Sequence, residues 1–295
     1  MYINCQSMVD ELSLCLIKRP EASHVDQATV DGQWRELNYP ARPAYPQVLA
    51  EYERFVQLLV EHGVELVNLP AAPGVGLDSI YTHDPVIIVQ GGAVLANMGK
   101  AARTGEPAAA AFRLQALDIP ILGEITGTGR LEGGDVCWLD PRTVAVGEGY
   151  RTNAEGIRQF RMILGDRVER VISVPLPHWT GPADCLHLLS FISPVDRRVA
   201  VVYSRLMPVP FRMLLLAEGW TLVEVPDEEY EGMACNVLAT APGRCIMLAG
   251  NPITQARLEE AGIAVETFPG DDLCLKGGGG PTCLTRPLLR GGVAW

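Results

Sequence analysis

The sequence predicts an α/β chain built as a five-bladed propeller of ββαβ units, and three observations carry that prediction. Paired short strand-like runs recur at a spacing of about 50 residues, a period that signals repeat architectures, closed propellers among them. Each pair leads through a loop to a helix-favouring stretch and a third short run, usually ending at proline. The two chain ends supply the pieces of one further unit, which closes the ring.

Short runs rich in valine, isoleucine and leucine between glycine or proline turns read as strands. The first is residues 12–17, followed by a helix over 45–62 and a run over 64–69 before Pro70. The second unit opens at 84–89, turns at Gly91-Gly92 and returns over 93–96, with a helix over 106–117 and a run over 119–122. A third has 135–139, a turn at Asp140-Pro141-Arg142, then 143–146, a helix over 153–164 and a run over 168–174. A fourth reads 186–192, a turn at Pro194-Val195-Asp196, then 199–202, a helix over 211–218 and a run over 221–225. The fifth has 236–239, a Pro242-Gly243 turn, 245–248, a helix over 254–261 and 265–268. A last run, 283–285, is expected to pair with the first strand, so residues 1–295 read as a single domain.

Charge limits the partners. Asp and Glu number 35 against 24 Lys and Arg, a balance that disfavours nucleic acid and anionic membrane and mildly favours cationic small molecules. No apolar run reaches the roughly 18 residues needed to span a bilayer. The N-terminus carries acid early and lacks the basic-then-apolar order of a signal peptide. Eight cysteines without CxxC spacing read as reduced thiols, so a cytoplasmic location is expected. The oligomeric state is left open, with a homodimer as the candidate.

Function is read from the residues that open the units. Asp84, the Glu132–Asp135 group, His187, Asn236 and Cys283 are polar where core strands begin. Singly, each has a plain structural reading, as a turn residue, a hairpin approach or a satisfied core histidine. If the units are related by rotation, all five positions face one central cavity, where nucleophile, base and carboxylate become neighbours. Four glycines, Gly277 to Gly280, precede Cys283; they suit positive φ or close approach, and leave a thiol that a small substrate can reach. His178, His187, Cys274 and Cys283 match no common zinc spacing. The glycine run also lacks the Lys-Ser/Thr ending of a phosphate loop.

The ordered set Thr82-His83-Asp84-Pro85, Leu131-Glu132-Gly133-Gly134-Asp135, Leu186-His187-Leu188 and Gly279-Gly280-Pro281-Thr282-Cys283 resembles the guanidino-group modifying enzymes, the amidinotransferase and arginine deiminase superfamily. Within it, the chain is most similar to the dimethylarginine dimethylaminohydrolases. The resemblance runs through nearly the whole chain and implies a five-bladed propeller with its active site on the central axis. It implies a small cationic guanidino substrate and no metal or organic cofactor. Cys283 is then the nucleophile that forms a thiouronium, His187 the acid and later base, and Glu132 the group that orients the imidazole. Asp84, helped by Asp78 in Leu77-Asp78-Ser79, would grip the guanidinium. Arg103, and Arg151 after a one-residue adjustment, would hold the α-carboxylate.

The expected reaction is Nω-methylated arginine to citrulline and (di)methylamine. Deiminases place a carboxylate two residues after the histidine, where this chain has Leu189, and carry an inserted helical domain for which no stretch exists here. If His187 starts a strand, Leu189 faces the same side. Alternatives are an arginine deiminase or dihydrolase giving citrulline or ornithine, an amidinotransferase, and, less favoured, a non-catalytic propeller binding protein or redox sensor. Residues 21–39 are polar and aperiodic, which suits a lid.

Overall fold

The computed structural model describes residues 3–183 and 186–291. Blade one contains β1 (Leu12–Ile17) and β2 (Glu65–Asn68). The next sheets are β3 (Val86–Val89), β4 (Gly92–Leu95) and β5 (Ile121–Glu124), then β6 (Val136–Asp140), β7 (Thr143–Glu148) and β8 (Arg170–Pro175). They are followed by β9 (Ile192–Asp196), β10 (Val199–Val202) and β11 (Thr221–Glu224), then β12 (Leu238–Ala241), β13 (Arg244–Leu248) and β14 (Ala264–Phe268). The last strand, β15 (Arg286–Arg290), returns to blade one and pairs antiparallel with β1, Leu16 opposite Arg286 and Leu12 opposite Arg290. Five three-stranded sheets result, a five-bladed α/β-propeller.

Each sheet repeats one rule. The middle strand runs antiparallel to the first and parallel to the third, and β15-β1-β2 obeys it although its members come from both ends of the chain. A parallel return needs a crossover. Helices supply it. After the short α1 (Pro20–Ser23) and α2 (Gln27–Gln33) comes α3 (Tyr45–Glu61); then α4 (Glu106–Gln115), α5 (Ala154–Leu164) and α6 (Val209–Ala217). The short α7 (Asp227–Tyr230) precedes α8 (Pro252–Glu260). Helix α5 shows why these stretches are helical. Asn153 caps it by accepting from Gly156 N at 2.9 Å, Ile157, Phe160 and Leu164 bury one face at helical spacing, and Gly165 ends it at φ 53°. At the centre, first strands meet: β9 lies against β12 and β3 against β15. Among the described residues no helix is long and apolar enough to cross a membrane.

Three elements differ from the expectation. His187 does not start a strand: Leu188–Ser190 is a single 3₁₀ turn, and β9 begins at Ile192. The side chain of Ser190 accepts from His187 N, and Asp135 accepts from Leu188 N, so the backbone's donors are taken by side chains rather than by a strand partner. Pro194 to Asp196 lie inside β9 and the turn falls at Arg197-Arg198, with Arg198 at φ 62°. Proline is tolerated there because β9 is an edge strand. The closing strand starts at Arg286, because residues 281–284 form a turn held by Leu284 N to Gly280 O at 3.1 Å and Thr285 N to Thr282 O at 3.2 Å.

The seam between the first and last units is a packed one. Phe55 on α3 is fully buried, with its ring 4.9 Å from that of Phe268 on β14. Phe55→Ala is expected to lower the unfolding free energy by about 3–5 kcal/mol in a urea titration. A loss below about 1 kcal/mol would contradict a close-packed seam.

Candidate active site

The five unit-opening positions sit just ahead of β3, β6, β9, β12 and β15, and a cavity of about 520 Å³ opens among them. Asp78, Asp84, Arg103, Arg151, His187 and Cys283 all line it. Glu132 does not; it lies behind His187 with 0% exposure. Leu189 also reaches the cavity, carried there by the turn after His187 rather than by strand alternation. Leu37 and Asn38, from the stretch read as a lid, line it too.

Glu132 is held by donors from three directions. Its Oε1 accepts from Gly99 N at 2.8 Å and Lys100 N at 3.2 Å. Its Oε2 accepts from Arg151 at 3.0 Å and from His187 Nε2 at 2.7 Å. Burial opposes the charge, but the hydrogen bond and charge of His187, with that of Arg151, bring the carboxyl down from 4.5 to about 2. With an ionised acceptor at Nε2, the proton sits on Nε2 and Nδ1 is left toward the cavity. Nδ1 lies 4.0 Å from Asp84 Oδ1. The ring rests on Gly134, where a Cβ would come within 2.3 Å of Nδ1, so only glycine fits beneath it. Asp135 fixes the same loop through Leu188 N at 2.9 Å, and burial pushes its carboxyl up to about 6.

Asp84 is set by the strand start before β3. Its Oδ1 accepts from Gly134 N at 3.0 Å and its Oδ2 from Arg103 at 2.5 Å. Burial again opposes ionisation, and the charges of Arg103, His187 and His83 overcome it, holding this carboxyl well below the usual range. Arg103 is fully engaged: Nε and a terminal nitrogen reach Glu106 at 2.9 and 2.8 Å, and the Tyr81 carbonyl accepts at 3.0 Å. Asp78, on the 3₁₀ turn Leu77–Ile80, pairs with Lys100 at 2.7 Å. Both arginines expected to hold a substrate carboxylate are thus bonded to buried acids of the protein itself.

Cys283 lies half-buried, 3.2 Å from Asn236 Nδ2, while Asn236 Oδ1 accepts from Thr282 N at 3.0 Å. The glycine run is explained by contact. A Cβ at Gly277 or Gly279 would collide with Tyr81, one at Gly280 with Asn236, and Gly278 has φ 83°. The other six cysteines among the described residues are buried free thiols; Cys185 lies outside them. Asn236 carried a signal, its place at a unit opening. Lys100 and Glu106 carried none, since a loop lysine and a helix-start glutamate are ordinary. Glu231 and Trp179, which also line the cavity, were missed for the same reason.

The metal reading with Cys274 and His178 does not assemble: Cys274 is completely buried and His178 bonds Tyr150 at 2.8 Å on the surface. Asp84, Glu132 and His187 offer donor atoms within 4.8 Å of one another, but each carboxylate already carries an arginine.

The fold is shared with enzymes of the guanidino-group modifying class. The family model for arginine deiminase matches residues 78–219 and 210–290, and the chain belongs to that family. It is 28% identical over 291 residues to the uncharacterised YkgA of Bacillus subtilis, covering 97% of this chain and 95% of YkgA. Against the arginine deiminase of Mycobacterium avium it is 30% identical over 193 residues, 55% of this chain and 47% of the deiminase, so the match spans about half of that relative. A dimethylarginine dimethylaminohydrolase variant of Pseudomonas aeruginosa complexed with citrulline shares the fold, with TM-score 0.76 and 23% identity over 95% of this chain and all of the other. So does the N-terminal domain of the cyanobacterial arginine dihydrolase ArgZ bound to product, with TM-score 0.78 and 20% identity, covering 95% of this chain and 98% of that one.

The charge on Glu132 makes stability depend on acid. A carboxyl lowered by folding contributes stability that is complete above its unfolded value of 4.5 and is lost as pH falls toward 2. Asp135, raised by burial, has the opposite sign and weakens the fold as pH rises from about 4 to about 6. Denaturant titrations of wild type should show a loss of stability from Glu132 as pH falls below 4.5. Glu132→Gln should be less stable at pH 7 and flatter in acid. Equal acid slopes in both proteins would contradict an ionised Glu132.

Proposed function

We propose that this chain hydrolyses a C–N bond in the guanidino group of an Nω-methylated arginine, giving citrulline and (di)methylamine. The observation that carries the reading is Leu189 on the cavity wall, two residues beyond His187, with Leu186 and Met233 lining the same cavity. In this scheme Asp84 orients the guanidinium by charge-assisted hydrogen bonds, with Asp78 beside it. Cys283 gives up its proton to His187 Nδ1 and attacks the central carbon as thiolate, and the C–N bond to the methylated nitrogen breaks as the imidazolium passes that proton to the departing amine. A thiouronium on Cys283 remains. Water then attacks it, His187 takes the water's proton, and the C–S bond breaks to return the thiolate and release the ureido product. Asn236 Nδ2, at 3.2 Å, supports the sulfur while it carries charge. Every proton and electron pair moves between substrate, water and these side chains, so the mechanism calls on no metal or organic cofactor.

An apolar wall accepts N-methyl groups and leaves N–H donors of unsubstituted arginine without acceptors, at about 1–3 kcal/mol each when buried. A second reading, arginine itself as substrate, is supported by one residue: Glu231 is a further carboxylate lining the cavity. It also has the relatives behind it, since the Mycobacterium protein is an arginine deiminase and ArgZ an arginine dihydrolase. Measuring kcat/KM for methylated arginines and for arginine, with products identified by mass spectrometry, decides between them. The proposal expects methylated arginine to be favoured by at least about tenfold, and Leu189→Asp to shift the preference toward arginine. If arginine is preferred and Glu231→Gln removes that preference, the arginine reading replaces the methylated one. The product, citrulline or ornithine, then separates deiminase from dihydrolase.

A further inference from the structure

A second, much smaller cavity of about 20 Å³ lies deeper on the axis, walled by Trp138 of β6, Pro194 of β9, Ala239 of β12 and the last strand. Two guanidiniums of β15, Arg286 and Arg290, line it and are only 5% and 4% exposed. Arg290 donates to the carbonyls of Asp10 at 2.7 Å and Ala239 at 2.8 Å. Arg286 donates to the carbonyl of His83, and its buried Nε has no hydrogen-bond partner among the described residues. The Asp10 carboxylate is directed to Arg197 at 3.7 Å, and among the described residues no carboxylate forms an ion pair with either arginine.

Two buried cations facing one cavity with no carboxylate in ion-pair contact are costly, and proteins pair such groups; Asp84 and Asp10 act on Arg286 and Arg290 only from beyond ion-pair distance. The adjacent thiols do not provide the charge. Burial raises Cys5 against the pull of both arginines, and it pushes Cys15 up to about 12. Burial brings Arg286 down, but only to about 10, so it stays cationic near neutrality. We propose that Arg286 and Arg290 bind a small monovalent anion, of the size of chloride, in this axial cavity. The space suits one water-sized occupant and is too small for phosphate or sulfate. A neutral water would accept from Nε but would leave both charges uncompensated. Through Arg286 and the His83 carbonyl, the anion sits one residue from Asp84, on the inner side of the guanidinium-binding carboxylate.

The test uses the full chain at constant ionic strength, exchanging gluconate for chloride or bromide. Halide is expected to raise Tm saturably, by about 3 °C at ten times its dissociation constant. Bromide-soaked crystals are expected to show anomalous density between the two guanidiniums. Arg286→Gln should abolish the halide-dependent shift; should that variant fail to fold, the bromide density in wild type decides alone. Equal melting in gluconate and halide, a shift that survives in folded Arg286→Gln, or a water at the bromide position overturns the proposal.

Discussion

Glu132 is a carboxylate with no solvent exposure, and much of the cavity's architecture follows from satisfying it. An ionised carboxylate taken out of water must be met by donors at nearly every lone pair. The four donors come from separate parts of the chain: two backbone amides after β4, Arg151 after β7, and His187 before β9. Three successive blades are therefore tied at one point. The same bonds decide which imidazole nitrogen faces the cavity, so the demand of a buried charge and the geometry of the chemistry are met by one set of contacts.

Ring closure makes that convergence available. Strand β15 completes the sheet begun by β1, which brings Cys283, near the end of the chain, to the axis that Asp84 and His187 already face. The cavity carries its own cations: Arg103 on Asp84, Arg151 on Glu132 and Lys100 on Asp78. Asp84 and Glu132, which burial alone would neutralise, are thereby held ionised. Asp84 already accepts from one guanidinium, that of Arg103.

Much of this was legible in the sequence, because strand pairs split by Gly or Pro turns report local backbone chemistry directly. The polar unit openings were legible for a related reason: a polar residue at a core strand start has to be placed somewhere other than the core. The turn after His187 was not. Leu186, Leu188 and Leu189 read as a strand, whereas Ser190, by taking His187 N, and the distant Asp135, by taking Leu188 N, divert the backbone into a turn. The closing strand was set three residues early because Arg286 and Arg290 look like surface charges, whereas both are buried beside the axis. Long-range pairing of this kind leaves no local pattern; Lys100 and Glu106 escaped notice because a loop lysine and a helix-start glutamate are ordinary in sequence.

The central claim is that Cys283 becomes covalently bonded to the amidine carbon. The most direct measurement is mass spectrometry of protein denatured in acid during turnover of methylated arginine, followed by peptide mapping. The account predicts an adduct equal to the substrate less the departed amine, on the peptide containing Cys283, and its absence from Cys283→Ser. An adduct on another cysteine, or steady turnover in Cys283→Ser, would contradict it.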